Sequence, residues 1–254
     1  MATFVLVHGS FHGAWCWERL VPLLQAAGHR VVAPDLPGSG ADTTPLAQAT
    51  LDRYVASICD VVDAQFEPPI LVAHSMGSIV CSQVAERRPR SLAAVVYVCG
   101  LLLRSGETLM SFLGEFAHLG VRDLVIENMV TREGGSVYDF PAAAAPAVFY
   151  NRCSPADAQW AARQLRPQAN AVYGSAPALT AEGFGRVRRF YVFGLDDLAV
   201  PITFQRLMVE RTPCERTFEL DTDHSPFLSA PDQLAGVLVT VAANVTTTGQ
   251  ALTL

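Results

Sequence analysis

The sequence predicts an α/β protein: one mostly parallel sheet with helices on both faces. Three observations carry that reading. Short apolar, β-branched runs alternate with longer stretches of helical spacing, in the order strand, helix, strand. The strand runs are apolar almost without interruption, as expected of strands buried on both faces. The chain has 254 residues, half of them hydrophobic, so it can bury about three quarters of its extended surface without disulfides or metals to help.

The first strand is TFVLV (3–7), followed by an amphipathic helix, WERLVPLLQAAG (17–28), that Gly28 closes. HRVVAP (29–34) is a second strand running into the turn-rich DLPGSG. Leu51, Tyr54, Val55, Ile58, Val61, Val62 and Phe66 then recur at helical spacing. PILVAH (69–74) is a third strand, SIVCSQVAERRP a helix and LAAVVYVC (92–99) a fourth strand. From about residue 104 to 185 the rhythm breaks. GETLMSFLGEFAHLG is helical, REGGSVYDFPAAAAPAVFY is rich in turns and alanine, and SPADAQWAARQL opens a helix with Ser-Pro. RRFYVFG (188–194) restores a strand, ITFQRLMVER a helix and ERTFEL (215–220) a strand, before PDQLAGVLVTVAANV closes the pattern as a helix. The expected organisation is a core of residues 1–103 and 186–246, a mainly helical insertion at 104–185 and a frayed tail at 247–254.

Composition excludes several functions. The net charge is −6 and the basic residues are scattered, which argues against a nucleic-acid partner. All 18 basic residues are arginine, so Schiff-base, phosphate-loop and general-base lysines are ruled out. Cysteines 16, 59, 81, 99, 153 and 214 show no C-x-x-C spacing. Several sit in apolar runs, where they read as reduced structural thiols of a cytoplasmic protein. MATFVLVHG lacks a basic region, and no apolar run approaches the roughly 20 residues of a membrane span, so no membrane association is expected. The arginine- and alanine-rich composition fits a high-GC bacterial source. Monomer and homodimer both stay open.

Chemistry concentrates at three places. In ILVAHSMGS, Ser75 stands between a strand and a helix, with small residues, Ala73 and Gly77, two positions to either side. A serine on so sharp a turn tolerates only small neighbours, although a helix-capping serine would sit there too. His224 follows the last strand in LDTDHSPFL, and Asp196 and Asp197 follow the preceding strand in YVFGLDDLAVP. Strand ends of this kind face ligands in an open parallel sheet. Serine, acid and histidine in that chain order make a candidate triad of nucleophile, orienting carboxylate and base. The negative oxygen of a tetrahedral intermediate also needs donors. The Met76 N–H at the helix start is one candidate. The Ser10 N–H, in the loop HGSFHGAWCW that Gly9 and Gly13 let approach closely, is the other. His8 and His12 read as braces of that loop.

The segments FVLVHGSFHGAWCW, GHRVVAPDLPGSGAD, ILVAHSMGS, YVFGLDD and DHSPFLSAP run almost end to end, and through them the chain resembles the α/β-hydrolase superfamily. More narrowly, it resembles the plant methylesterase and hydroxynitrile lyase group with its bacterial esterase relatives. The resemblance implies the α/β-hydrolase fold, the 104–185 insertion as a cap over the site, and no metal or organic cofactor. It assigns the acid to Asp197, six residues after Tyr191, with Asp196 as the fallback. Hydroxynitrile lyases of the group carry a threonine after the first motif histidine and a lysine after the catalytic one. Gly9 and Ser225 stand at those positions here. The resemblance therefore implies no cation for departing cyanide, and room at Gly9 for water and substrate.

The expected function is a serine hydrolase that cleaves a small to medium hydrophobic carboxylic ester, a methyl ester by resemblance, through an acyl-enzyme. Its partner is a small-molecule ester, not nucleic acid or membrane. Candidates for the pocket wall are Gly9, Phe112, Phe149 and Trp160, with Phe116 and Tyr150; each aromatic also reads as ordinary packing, as do Trp15 and Trp17. Two alternatives stay open. One is a lyase or cyclase of secondary metabolism using His224 as base for acyl elimination or ring closure. The other is a ligand receptor without turnover.

Overall fold

All six strands read from the sequence form, and they join in one sheet. The computed structural model describes the backbone of residues 1–251 and the side chains of residues 1–245. In chain order the elements are β1 (Thr3–Val7), α1 (Leu20–Ala26), β2 (Arg30–Val32), α2 (Leu51–Asp63), β3 (Ile70–His74), α3 (Gly77–Arg87) and β4 (Ala94–Val98). The insertion adds α4 (Leu109–Glu115), α5 (Leu124–Asn128), β5 (Val130–Arg132), β6 (Val137–Asp139), α6 (Ala145–Val148), α7 (Pro155–Gln164) and β7 (Gln168–Ala169). The core resumes with β8 (Arg189–Gly194), α8 (Ile202–Arg211), β9 (Arg216–Leu220), α9 (Pro226–Ser229) and α10 (Pro231–Ala251).

The large sheet has the order β2-β1-β3-β4-β8-β9, and every neighbouring pair is parallel. Every residue of β1, β3 and β4 is buried, because successive side chains enter two different cores. Val5, Leu71, Val95 and Tyr97 pack with Tyr54, Ile58, Val80 and Met208 from α2, α3 and α8. Phe4, Leu6, Val72 and Val96 pack with Leu20, Leu24, Leu234 and Leu238 from α1 and α10. Apolar residues on both faces explain why the strands read as continuous runs.

Helix ends follow local chemistry. Thr50 caps α2 by accepting from the Arg53 N–H, and Ser154 caps α7 by accepting from Asp157, with Pro155 in the first turn. Phe66 does not belong to the buried stripe: α2 ends before it, and its ring lies exposed beneath the Arg30 guanidinium. The helix expected from residue 17 begins at Leu20, because Ala14–Trp17 forms a tight 3-10 turn.

The insertion also holds a small antiparallel sheet of order β5-β6-β7 that the sequence does not announce. Strands of two or three residues are too short to display an alternating pattern. The insertion is tied back to the core by Arg211 of α8, whose Nη2 lies 2.6 Å from Glu107 Oε1 and whose guanidinium covers the Phe112 and Phe116 rings. At the other end, α10 runs on to Ala251 where a frayed tail was expected from residue 247; residues 252–254 lie outside the described residues. No helix among the described residues is long and apolar enough to cross a membrane.

Candidate active site

Ser75 occupies the turn between β3 and α3 with φ 51, a left-handed conformation that a residue with a Cβ adopts only when its surroundings force it. The turn is locked by backbone bonds. The Ser75 N–H donates to Val98 O at 3.2 Å, and the Ser75 carbonyl accepts from Ser78 and Leu101. Gly77 is needed because a Cβ there would lie 2.6 Å from His8 O and 2.9 Å from Val7 O. Ala73 is fully buried between its strand partners Val7 and Tyr97. The small residues flanking Ser75 thus answer to backbone and side chains of the adjacent strands.

His224 follows β9 and is buried. Its Nδ1 lies 2.8 Å from Asp197 Oδ2. Asp197, buried after β8, accepts on Oδ1 from the Ala199 and Val200 N–H groups at 2.8 Å each, and on Oδ2 from Gln205 Nε2 at 3.0 Å. A carboxylate only accepts, so Nδ1 carries the hydrogen and Nε2 is left as the basic nitrogen. Of the two adjacent acids, it is Asp197 that meets the imidazole. The Asp196 side chain is half exposed, 3.6 Å from Arg152.

Ser75 and His224 line one cavity. The Ser75 hydroxyl makes no hydrogen bond among the described residues; nucleophile–base contacts of this kind are often long before substrate binds. The amides of Ser10 and Met76 donate to no other backbone or side chain among the described residues. Phe112 and Phe149 line the cavity, with Leu109, Met129, Val200 and Phe204.

Two expected wall residues lie elsewhere. Trp160 stands outside the cavity, edge-on to Trp15 at 5.4 Å within the α1–α10 core. Gly9 is not among the residues that line the cavity: a Cβ there would come within 2.7 Å of Ser75 Cβ and 2.9 Å of His74 Nδ1, so its missing side chain makes room for Ser75. Phe116 packs on Phe112, and Tyr150 is buried against His12.

Three further histidines, His8, His12 and His74, form a buried layer behind the site. His8 Nδ1 donates to Gly9 O and its Nε2 accepts from the Leu36 N–H. His12 Nδ1 donates to Ser10 O at 2.7 Å while its Nε2 accepts from Tyr150 OH at 2.9 Å. His74 was not singled out from the sequence, although it precedes Ser75; its Nε2 donates to the His224 carbonyl at 2.8 Å and helps to hold that segment in place. Gln205 was likewise missed, because nothing local ties α8 to Asp197.

Burial holds all three histidines neutral: His8 is lowered, His74 is lowered well below the ordinary value and His12 is pushed down to about 3. Unfolding frees each to protonate below its ordinary 6.5, so stability is present above that pH and is lost as pH falls through it. His12 alone should cost about 2 kcal/mol between about pH 8 and about pH 5. Urea unfolding at both values should show a His12→Phe variant with a pH dependence smaller by that amount; an unchanged dependence would contradict a neutral buried imidazole.

Among the described residues, one group of three could offer donors to a metal. Cys99, Asp197 and His224 place ligand atoms within 4.8 Å of one another. Their atoms are committed otherwise: imidazole and carboxylate to each other, and a thiol that burial pushes well above its usual range. The donor set fits a hydrogen-bonded imidazole–carboxylate pair better than a metal centre.

A strained serine above a parallel sheet, with histidine and carboxylate at the ends of later strands, defines the α/β-hydrolase class of site. The chain belongs to the alpha/beta hydrolase family, whose model matches residues 4–237. It is 31% identical over 251 residues to an alpha-hydroxynitrile lyase of Arabidopsis thaliana, covering 95% of this chain and 97% of that protein. It is 29% identical over 249 residues to putative methylesterase 13, chloroplastic, of the same plant, covering 94% of this chain. The chain spans 56% of that methylesterase's length, and 56% and 63% of two further chloroplastic methylesterases. Among solved structures, polyneuridine aldehyde esterase superposes with a TM-score of 0.85 at 24% identity, over 95% of this chain and 99% of the other, which supports the fold.

Proposed function

We propose that the protein is a serine esterase acting on small to medium hydrophobic carboxylic esters through an acyl-enzyme. The observation that carries this reading is the strained Ser75 sharing one apolar cavity with an imidazole whose far nitrogen Asp197 fixes. His224 Nε2 takes the Ser75 proton as Oγ attacks the ester carbonyl. Asp197 holds the tautomer and stabilises the imidazolium that forms. The Ser10 and Met76 amides receive the oxyanion, each such donor being worth about 3 kcal/mol in the transition state. The alcohol departs with the proton from His224, and water then cleaves the acyl-enzyme. The 104–185 insertion acts as the cap: it supplies Leu109, Phe112, Met129 and Phe149 to the cavity wall.

Likeness to the plant methylesterases supports a methyl ester as substrate. Likeness to a hydroxynitrile lyase favours a second reading, base-driven elimination by His224. Against cyanohydrin cleavage, no residue lining the cavity is basic apart from His224, and Ser225, next to it, is fully buried and offers no cation. The test is labelling with a fluorophosphonate probe. The wild-type protein should label and Ser75→Ala should not, and a panel of methyl esters should release methanol only with the wild type. A folded wild type that stays unlabelled would remove the activated serine.

A further inference from the structure

Resting on the esterase reading, the cavity wall contains one carboxylate that this chemistry does not use. Most of the lining is aliphatic or aromatic, yet Asp123 faces the same space from the insertion, among Val125, Ile126 and Met129. Its Oδ1 caps α5 by accepting from the Ile126 N–H at 2.9 Å. Capping does not explain the choice of residue. Asparagine or serine caps a helix as well without burying a charge in apolar surroundings. Burial does act on Asp123, raising its carboxyl above the usual range, with the charge of His224 among the opposing influences. A carboxylate has about four acceptor positions, and the cap uses part of that capacity.

The other polar wall groups, apart from Ser75 and His224, are the hydroxyls of Ser10, Tyr138 and Tyr173. Tyr173 OH donates to Ser10 Oγ, so the Ser10 hydroxyl keeps its own hydrogen to donate. The cavity therefore offers a carboxylate acceptor on one element and a hydroxyl donor on another, in a wall that is otherwise greasy. We propose that Asp123 is the specificity residue of this pocket: it selects esters that carry a hydroxyl or a protonated amine away from the scissile carbonyl, and it rejects esters that carry a carboxylate there.

The experiment compares matched methyl arylalkanoates bearing hydroxyl, methyl, aminomethyl or carboxylate at one ring position, with wild type, Asp123→Asn and Asp123→Ser. Both variants keep a capping side chain, and thermal unfolding checks that they fold. Wild-type kcat/KM should favour the hydroxyl over the methyl ester by about 10- to 100-fold, the worth of a hydrogen bond to a charged group. That ratio should shrink at least about tenfold in both variants, mainly through KM, while carboxylate esters gain relative to the rest. Equal ratios in wild type and variants, or no wild-type preference, would overturn the proposal. Calorimetric binding of the same esters to Ser75→Ala, alone and combined with Asp123→Asn, reads the preference without turnover. An absence of hydrolysis with all esters would therefore sink the esterase reading, while the binding ratios still decide the role of Asp123.

Discussion

Replacing Ser75 with alanine should lower kcat for ester hydrolysis by about 10⁴- to 10⁶-fold with little change in KM, because in the proposed mechanism the hydroxyl is the attacking atom and not a binding group. The turn itself should survive. Its geometry is held by the Val98, Ser78 and Leu101 backbone bonds rather than by Oγ, and alanine adds no atom. His224→Ala should cost a comparable factor, since nucleophile and base act as one unit whose losses do not add. The double variant should then be no slower than either single one. This pair also separates the two chemistries. Activity that survives Ser75→Ala but not His224→Ala would point to elimination driven by the imidazole, with no acyl-enzyme on the path.

The core of the fold was legible because its strands are buried on both faces. A run such as ILVAH needs no alternation to be recognised; Ser75 follows it directly, and Asp197 and His224 come three and four residues after the ends of β8 and β9. Local signals of that kind stop where partners come from elsewhere in the chain. The small sheet of β5, β6 and β7 is built of pieces too short for any period, and its third strand arrives from beyond α7. Residues 247–251 read as tail since threonine and glycine have low helix propensity, yet α10 continues to Ala251. The pocket wall was only half legible for the same reason. Phe112 and Trp160 are equivalent as residues in a sequence, but one lines the cavity that Ser75 also lines and the other is turned edge-on to Trp15.

The two adjacent acids should part company when each is changed to asparagine. Asp197→Asn should lower kcat by about 10⁴-fold, since an amide can donate to Nδ1 and leave the imidazole in the wrong tautomer for a base. The surroundings of Asp197 sharpen this expectation. Four donors converge on its carboxylate: the Ala199 and Val200 amides, Gln205 Nε2 and His224 Nδ1. An asparagine has one acceptor oxygen. If that oxygen stays with the two backbone amides, its NH₂ group must face Gln205 and His224, donor against donor, and folding stability should fall by about 1–3 kcal/mol as well. Turning the amide round to satisfy the imidazole strands the two backbone N–H groups at a similar cost. Asp196→Asn should leave kcat within about twofold of wild type, because a half-exposed acid beside Arg152 contributes little. Steady-state kinetics and urea unfolding of both variants measure the contrast. An inactive Asp196→Asn beside an active Asp197→Asn would mean that the imidazole turns to the other carboxylate during turnover, and the assignment of the orienting acid would have to move with it.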